Sequence, residues 1–205
     1  GISIGEDGGS QMGLEDLSLF RALPDSVVLY PSDAVSTWRA VELVAAHAGL
    51  CYVRTGRPKA ALLYGNDERF AIGQAKVLRQ SAQDRAAVVA AGVTIFEALA
   101  ACERLQKEGI AIGVIDLFSV RPVDQAGLLA AAQRSGNLLI TVEDHYGAGG
   151  LGDAVSEAVS PAGVRVRRLA VAGIPRSGQP AELLHHYRID ADAIVAEVRA
   201  AIAAR

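Results

Sequence analysis

The chain is poor in the residues that mark several broad classes of function. Cysteine occurs twice among 205 residues, at Cys51 and Cys102, and both sit inside apolar periodic segments. That usage speaks against a disulfide-stapled scaffold or a cysteine metal site, and reads as two small buried hydrophobes in a reducing, cytoplasmic compartment. Lysine is confined to Lys59, Lys76 and Lys107, and the formal net charge is -3. With no basic tract and no alternation of basic and aromatic residues, nothing supplies the field that gathers nucleic acid or an anionic membrane surface. No apolar run is long enough to cross a bilayer, and no basic stretch followed by an apolar core marks a secretory leader. The only methionine is Met12, so Gly1 does not read as a product of ordinary initiation, and Gly1-Ile2-Ser3-Ile4 reads as the tail of an interior strand. The expectation is that sequence upstream of Gly1 is missing, whether removed or simply not seen.

What is present describes a well-buried globular protein. Half of the residues, 51%, are hydrophobic and 21% are charged, with a mean hydropathy of +0.25. A disordered chain is neither this apolar nor this modestly charged. Helical periodicity alternates with strand-like apolar runs, the pattern that builds a parallel sheet covered by helices, so the fold class is α/β. Met12 to Leu23 has helix periodicity and stops at Pro24; Val27 to Tyr30 reads as a short buried strand. Ser32 or Asp33 caps a helix from about Ala34 to Ala48, which Gly49 ends, and Leu50 to Val53 is the next strand. Residues 54–76 lose this regularity and are expected to hold a domain boundary. From Ala86 a second alternation begins, with strands at 86–90, 110–115, 137–142 and 165–170. Helices are expected at 93–107, 124–134, 151–159, 180–187 and 190–203. This second block is long enough to be a complete domain. The first is too short.

Several stretches resemble transketolase, the thiamine-diphosphate enzyme family that transfers two-carbon ketol units between sugar phosphates. The likeness runs through Gly5-Glu6-Asp7-Gly8 with Ser10-Gln11-Met12, Leu14-Glu15-Asp16-Leu17, Tyr30-Pro31-Ser32-Asp33 and Arg54-Thr55-Gly56-Arg57-Pro58. It continues through Gly73-Gln74-Ala75-Lys76, Val142-Glu143-Asp144-His145-Tyr146 and the run from Pro175 to Leu184. The resemblance implies an incomplete parallel-sheet pyrimidine-binding domain over 1–60, a linker over 61–76, and a complete α/β C-terminal domain over 77–205. It implies thiamine diphosphate and Mg2+ held mainly by a missing N-terminal portion, on the same chain or a separate subunit. It further implies a homodimer, phosphorylated sugars as substrates, and no activity for this chain alone.

Three residues carry over from the resemblance. Asp7 matches a family aspartate that binds sugar hydroxyls, a role suited to an ionised carboxylate because it accepts from vicinal hydroxyls. Taken alone, Asp7 is an ordinary turn residue in a glycine-rich loop. Gln11 matches a glutamine near the cofactor's pyrimidine, where an amide offers both a donor and an acceptor. Arg57 matches the arginine that grips the substrate phosphate, for which a planar, permanently charged fork is suited. Arg54, three residues earlier, is a weaker candidate for the same anion. Where the family usually has proline this chain has Gly9, which is expected to loosen the loop.

Other motifs are less persuasive. Gly147-Ala148-Gly149-Gly150-Leu151-Gly152 contains the spacing of a dinucleotide fingerprint. However, Glu143 and Asp144 intervene between strand and glycines, placing carboxylates where a pyrophosphate needs none. His145 beside Glu143 and Asp144 does not converge into a metal or acid-base site from spacing alone. His185 and His186 lie on a short helix with no cysteine or acidic ligand set nearby, and read as surface or packing residues. Two rival functions remain: a related thiamine enzyme such as 1-deoxyxylulose-5-phosphate synthase, whose loop normally lacks the Gln11-Met12 pair, and a non-catalytic dimerisation module.

Overall fold

A computed structural model describes residues 1–57 and 59–204; Pro58, the end of the Arg54–Pro58 motif, and Arg205 lie outside the described residues. Among the described residues, two sheets carry the fold. The first is small: β1 (Val27–Leu29) lies between β2 (Cys51–Val53), parallel to it, and β6 (Ser119–Arg121), antiparallel to it. The second has five strands in the order β3 (Lys76–Arg79), β5 (Gly113–Asp116), β4 (Ala87–Ala90), β7 (Leu138–Tyr146), β8 (Arg165–Val171). The last four are parallel, while β3 runs antiparallel along the edge.

Helices cover both faces of the larger sheet, which is why its central strand is apolar at every position. In β4, Val88 and Ala90 face a core with Ile95, Ala98 and Leu105 of α3 (Thr94–Lys107) and Ile194 and Val198 of α7 (Ala191–Ala203). Ala87 and Val89 point the other way, toward Leu128 and Ala132 of α4 (Gln125–Arg134) and Val155 of α5 (Leu151–Val159). Alternation along one strand thus serves two cores. Each fully buried valine here contributes roughly 1.5–3 kcal/mol.

The elements expected from periodicity are present with shifted ends. α2 (Ala34–Ala45) starts where its cap predicts: the Asp33 carboxylate accepts the Ser36 amide at 2.8 Å, and Ser36 Oγ accepts the Asp33 amide at 2.9 Å. This reciprocal cap fixes the first turn. The helix expected over Met12–Leu23 is shorter, α1 (Asp16–Arg21), because residues 2–11 form two 3-10 turns and the chain then runs through an extended Met12 and a bend at Leu14 that bury both side chains in the core. Strands β3 and β6 lie in stretches that carry no strand pattern. Both are edge strands of three or four residues, too short for alternation to show. α6 (Pro180–His186) packs against the first 3-10 turn.

Candidate functional site

The loop from Gly5 to Gly13 is seated on the second half of the chain. A Cβ at Gly5 would lie 3.0 Å from the Gly178 carbonyl oxygen, one at Gly8 would meet Ser177 Oγ at 2.3 Å, and one at Gly9 would come within 2.8 Å of the Pro175 carbonyl oxygen. Gly5 and Gly8 have φ of 67° and 80°, a region that glycine enters without steric cost. The glycines therefore let loop and platform touch backbone to backbone. The Gln179 amide also donates to the Glu6 carboxylate. Gly9 was expected to loosen this loop; close packing on Pro175 supplies a restraint the sequence does not reveal.

Asp7 ends the first 3-10 turn and Gln11 ends the second. Arg57 lies beyond the end of β2, fifty residues from Asp7, and the two form an ion pair at the surface. Two of the three predicted site residues are thus in contact. Gln11 is exposed on the same loop, with its amide available as donor and acceptor. Arg57 also borders a cleft of about 830 Å³, walled by Tyr30 and by Trp38, Val41 and Ala45 of α2.

Arg54 does not reach an anion at the surface. It is 4% exposed and is spoken for on every side. Its Nε lies 3.0 Å from Asp16 Oδ2, its Nη1 donates to Asp144 Oδ1 at 3.1 Å, and its Nη2 donates to the carbonyls of Gly13 at 2.6 Å and Asp144 at 3.2 Å. The guanidinium also sits 4.8 Å from the centroid of the Tyr30 ring. Burial would lower its pKa, but the carboxylates of Asp144 and Asp16 outweigh burial and hold it above the ordinary value. Tyr30 Oη donates to Asp144 Oδ1 at 2.9 Å, and burial followed by that carboxylate pushes the phenol pKa up.

The acidic-histidine run on β7 divides among separate partners. Asp144 joins Arg54 and Tyr30. Glu143 turns to the N-terminus of α5, where it accepts the amides of Leu151 at 2.6 Å and Gly152 at 2.9 Å. The glycine motif is therefore already occupied by an internal carboxylate at the place a pyrophosphate would need. Burial lifts the Glu143 pKa to about 7 against these two bonds. His145 Nδ1 lies 2.6 Å from the Tyr146 carbonyl oxygen and Nε2 lies 3.4 Å from the Ser18 amide, the pattern of a neutral ring protonated at Nδ1. Burial lowers its pKa, consistent with that form. It is a satisfied core histidine.

Another buried acid escaped sequence reasoning. Asp116, at the end of β5, has no exposed surface, and its Oδ2 accepts from Ser32 Oγ at 2.9 Å and Tyr64 Oη at 2.7 Å. Asp33 in turn accepts the amides of Leu63 and Tyr64. Burial works to raise the Asp33 pKa, but the hydrogen bonds from Ser36, Leu63 and Tyr64 prevail and hold it low. These contacts fix the linker segment between the sheets.

His185 was expected to have no ligand set. Among the described residues, the turn between α6 and α7 brings Asp190 and Asp192 to it, with one ligand atom of each residue within 4.8 Å of the others. The three are already committed: Asp190 caps α7 and accepts from His185 Nδ1 at 2.7 Å, and Asp192 pairs with Arg104.

Comparisons with known proteins agree on one family. The description "Transketolase, pyrimidine binding domain" matches residues 1–61, and "Transketolase, C-terminal domain" matches residues 73–194. Transketolase of Mus musculus is 54% identical over 200 residues, covering 97% of this chain and 32% of that protein. Transketolase of Homo sapiens is 53% identical over 203 residues, covering 98% and 33% respectively. The chain thus spans about a third of the length of these relatives. A solved structure described as "Split gene transketolase, inactive beta4 tetramer" superposes with a TM-score of 0.87 at 35% identity, over 95% of this chain and 63% of that one.

Proposed function

The chain belongs to the transketolase family, and we propose that it is the carboxy-terminal part of an enzyme that moves a two-carbon ketol unit from a ketose phosphate to an aldose phosphate. The observation that carries this reading is the meeting of Asp7 and Arg57 on one rim, although they come from segments fifty residues apart. Here the two groups satisfy each other. A sugar phosphate offers each a closer chemical match: its hydroxyls donate to the Asp7 carboxylate, and its phosphate takes the Arg57 fork.

Thiamine diphosphate, with Mg2+, supplies the carbanion chemistry that breaks and remakes the carbon-carbon bond. The exposed Gln11 amide fits a place beside the aminopyrimidine, where it donates and accepts at once. The diphosphate and the metal are assigned to the portion of the family length that this chain does not span. That portion, on the same polypeptide or a separate subunit, is the principal partner, and homodimerisation completes the site in a cytoplasmic enzyme. The relative described as a split-gene product supports the separate-subunit arrangement. The division 1–60, 61–76 and 77–205 is retained as the proposed domain organisation.

The test is reconstitution. This chain alone is expected to show no ketol transfer. Mixing it with a polypeptide supplying the remaining two thirds of the family length, with thiamine diphosphate and Mg2+, is expected to produce it. A mixture that co-elutes as a complex, binds the cofactor and stays inactive would overturn the catalytic reading in favour of an assembly module.

A further inference from the structure

We infer that Arg54 is a positioning residue for the Asp7–Arg57 rim, coupling it to the carboxy-terminal family domain through Asp144. The inference rests on the reading of Asp7 and Arg57 as substrate contacts. Residues 54–57 leave the end of β2 and hold the glycine-rich loop at two points. Arg57 pairs with Asp7 in the middle of the loop, and Arg54 donates to the Gly13 carbonyl at its exit, 2.6 Å away. The surface contact alone does not fix the loop, because an ion pair with side chains 69% and 43% exposed contributes little. The buried contact has the opposite character. Arg54 is wedged between Asp16, Asp144, Tyr30 and Gly13, and its planar fork serves several acceptors at once, which a lysine ammonium on the same stem does not reproduce.

Asp144 makes this more than local packing. It belongs to β7, an interior strand of the larger sheet, yet it orients an arginine just past the end of β2, the smaller sheet's edge strand. The adjoining Tyr146 amide donates to the Leu14 carbonyl at 3.1 Å, so β7 grips the same loop exit directly. The loop is therefore placed from both sides by elements of the second domain: β7 at the exit, and the Pro175–Gln179 platform beneath its glycines. A shift of Arg54 moves Gly13 and the start of residues 55–57 together, and with them the distance between the hydroxyl-binding and phosphate-binding groups.

Hydrogen exchange on the full chain tests this. Replacing Arg54 with methionine removes the fork and keeps the bulk. Exchange at the hydrogen-bonded amides of Gly8, Gln11 and Met12 should then accelerate at least tenfold beyond the change at the β4 amides of Val88 and Val89, which report overall unfolding. The orphaned Asp144 charge makes Arg54→Met prone to unfolding, so Arg54→Met/Asp144→Asn removes it while leaving the loop unanchored. Arg54→Lys separates positioning from stability: it should recover most of the lost melting temperature through the Asp144 charge and leave loop exchange fast. Loop amides that follow β4 in every variant, or that recover fully with lysine, would overturn the inference. In the reconstituted enzyme, Arg57→Ala distinguishes the two levels. Unchanged kinetics with phosphorylated substrates would sink the phosphate reading while leaving the exchange result standing.

Discussion

Replacing Asp116 with asparagine should make the protein more stable, and increasingly so as the pH rises. The carboxyl is fully buried, two hydroxyls donate to its Oδ2, and its Oδ1 has no partner among the described residues. Burial pushes its pKa from 3.8 to about 7, the hydroxyl bonds from Tyr64 and Ser32 only partly opposing. Because the folded value lies above the unfolded one, the fold binds the proton more tightly. The associated stability is present in full below about pH 4 and is lost as the pH climbs through 7. A difference of about three units at 1.36 kcal/mol each gives about 4 kcal/mol, reached above neutrality. Asparagine keeps an oxygen acceptor for Ser32 and Tyr64 and carries no charge. Urea denaturation of both proteins at intervals from pH 4.5 to 8 measures the difference directly, and Glu143, which titrates in both, cancels from it. The variant's advantage should grow across this range and level off above pH 7, where it is expected to raise Tm by about 10 °C. A constant difference, or a variant that is less stable at pH 8, would refute the reasoning. It would show that the two hydroxyls hold an ionised carboxylate.

Arg57→Ala in the reconstituted enzyme should raise KM for phosphorylated substrates about ten- to a hundredfold, the scale of a lost charge-assisted contact. Non-phosphorylated hydroxypyruvate should be turned over as before, and equal losses with both would count against the phosphate role. Asp7→Ala should flatten the preference among acceptors that differ in hydroxyl stereochemistry, read as the ratio of their kcat/KM values; an unchanged ratio removes Asp7 from recognition. Gly9→Pro, despite restoring the residue usual in the family, should cost about 1–3 kcal/mol in chemical denaturation, because its Cβ meets the Pro175 carbonyl oxygen. A stabilised variant would mean the platform yields easily.

The α/β class and the long helices were legible because their signals are local. Ala34–Ala45 shows its cap, and α5 its periodicity, within a single stretch of chain. The same holds for Asp7, Gln11 and Arg57 as candidates, which came from motif resemblance. Local signals gave no account of the groups that fix those residues in space. Asp144 was read beside Glu143 and His145 because they are neighbours in sequence, yet on β7 successive side chains face opposite ways and find different partners. Arg54 looked like a companion of Arg57 for the same reason, and the turn after β2 separates them into a buried tie and a surface fork. Asp116 carried no motif at all. Its partners, Ser32 and Tyr64, are 84 and 52 residues away, and only the assembled fold shows what it does.

Strand β6 changes what can be done with this chain in the laboratory. It follows β5 of the larger sheet after two residues, yet it forms an edge of the smaller one, with Leu29 opposite Ser119 and Val28 opposite Arg121. A nick among residues 61–72 would therefore not release two independent modules. The first piece would leave with one edge of β1 stripped of its hydrogen-bonding neighbour, an invitation to pair with another chain. The second would keep a strand with nothing beside it. Anyone trimming the protein for crystallisation or for fusion should treat the family boundary in this region as a bookmark in the sequence and not as a place to cut.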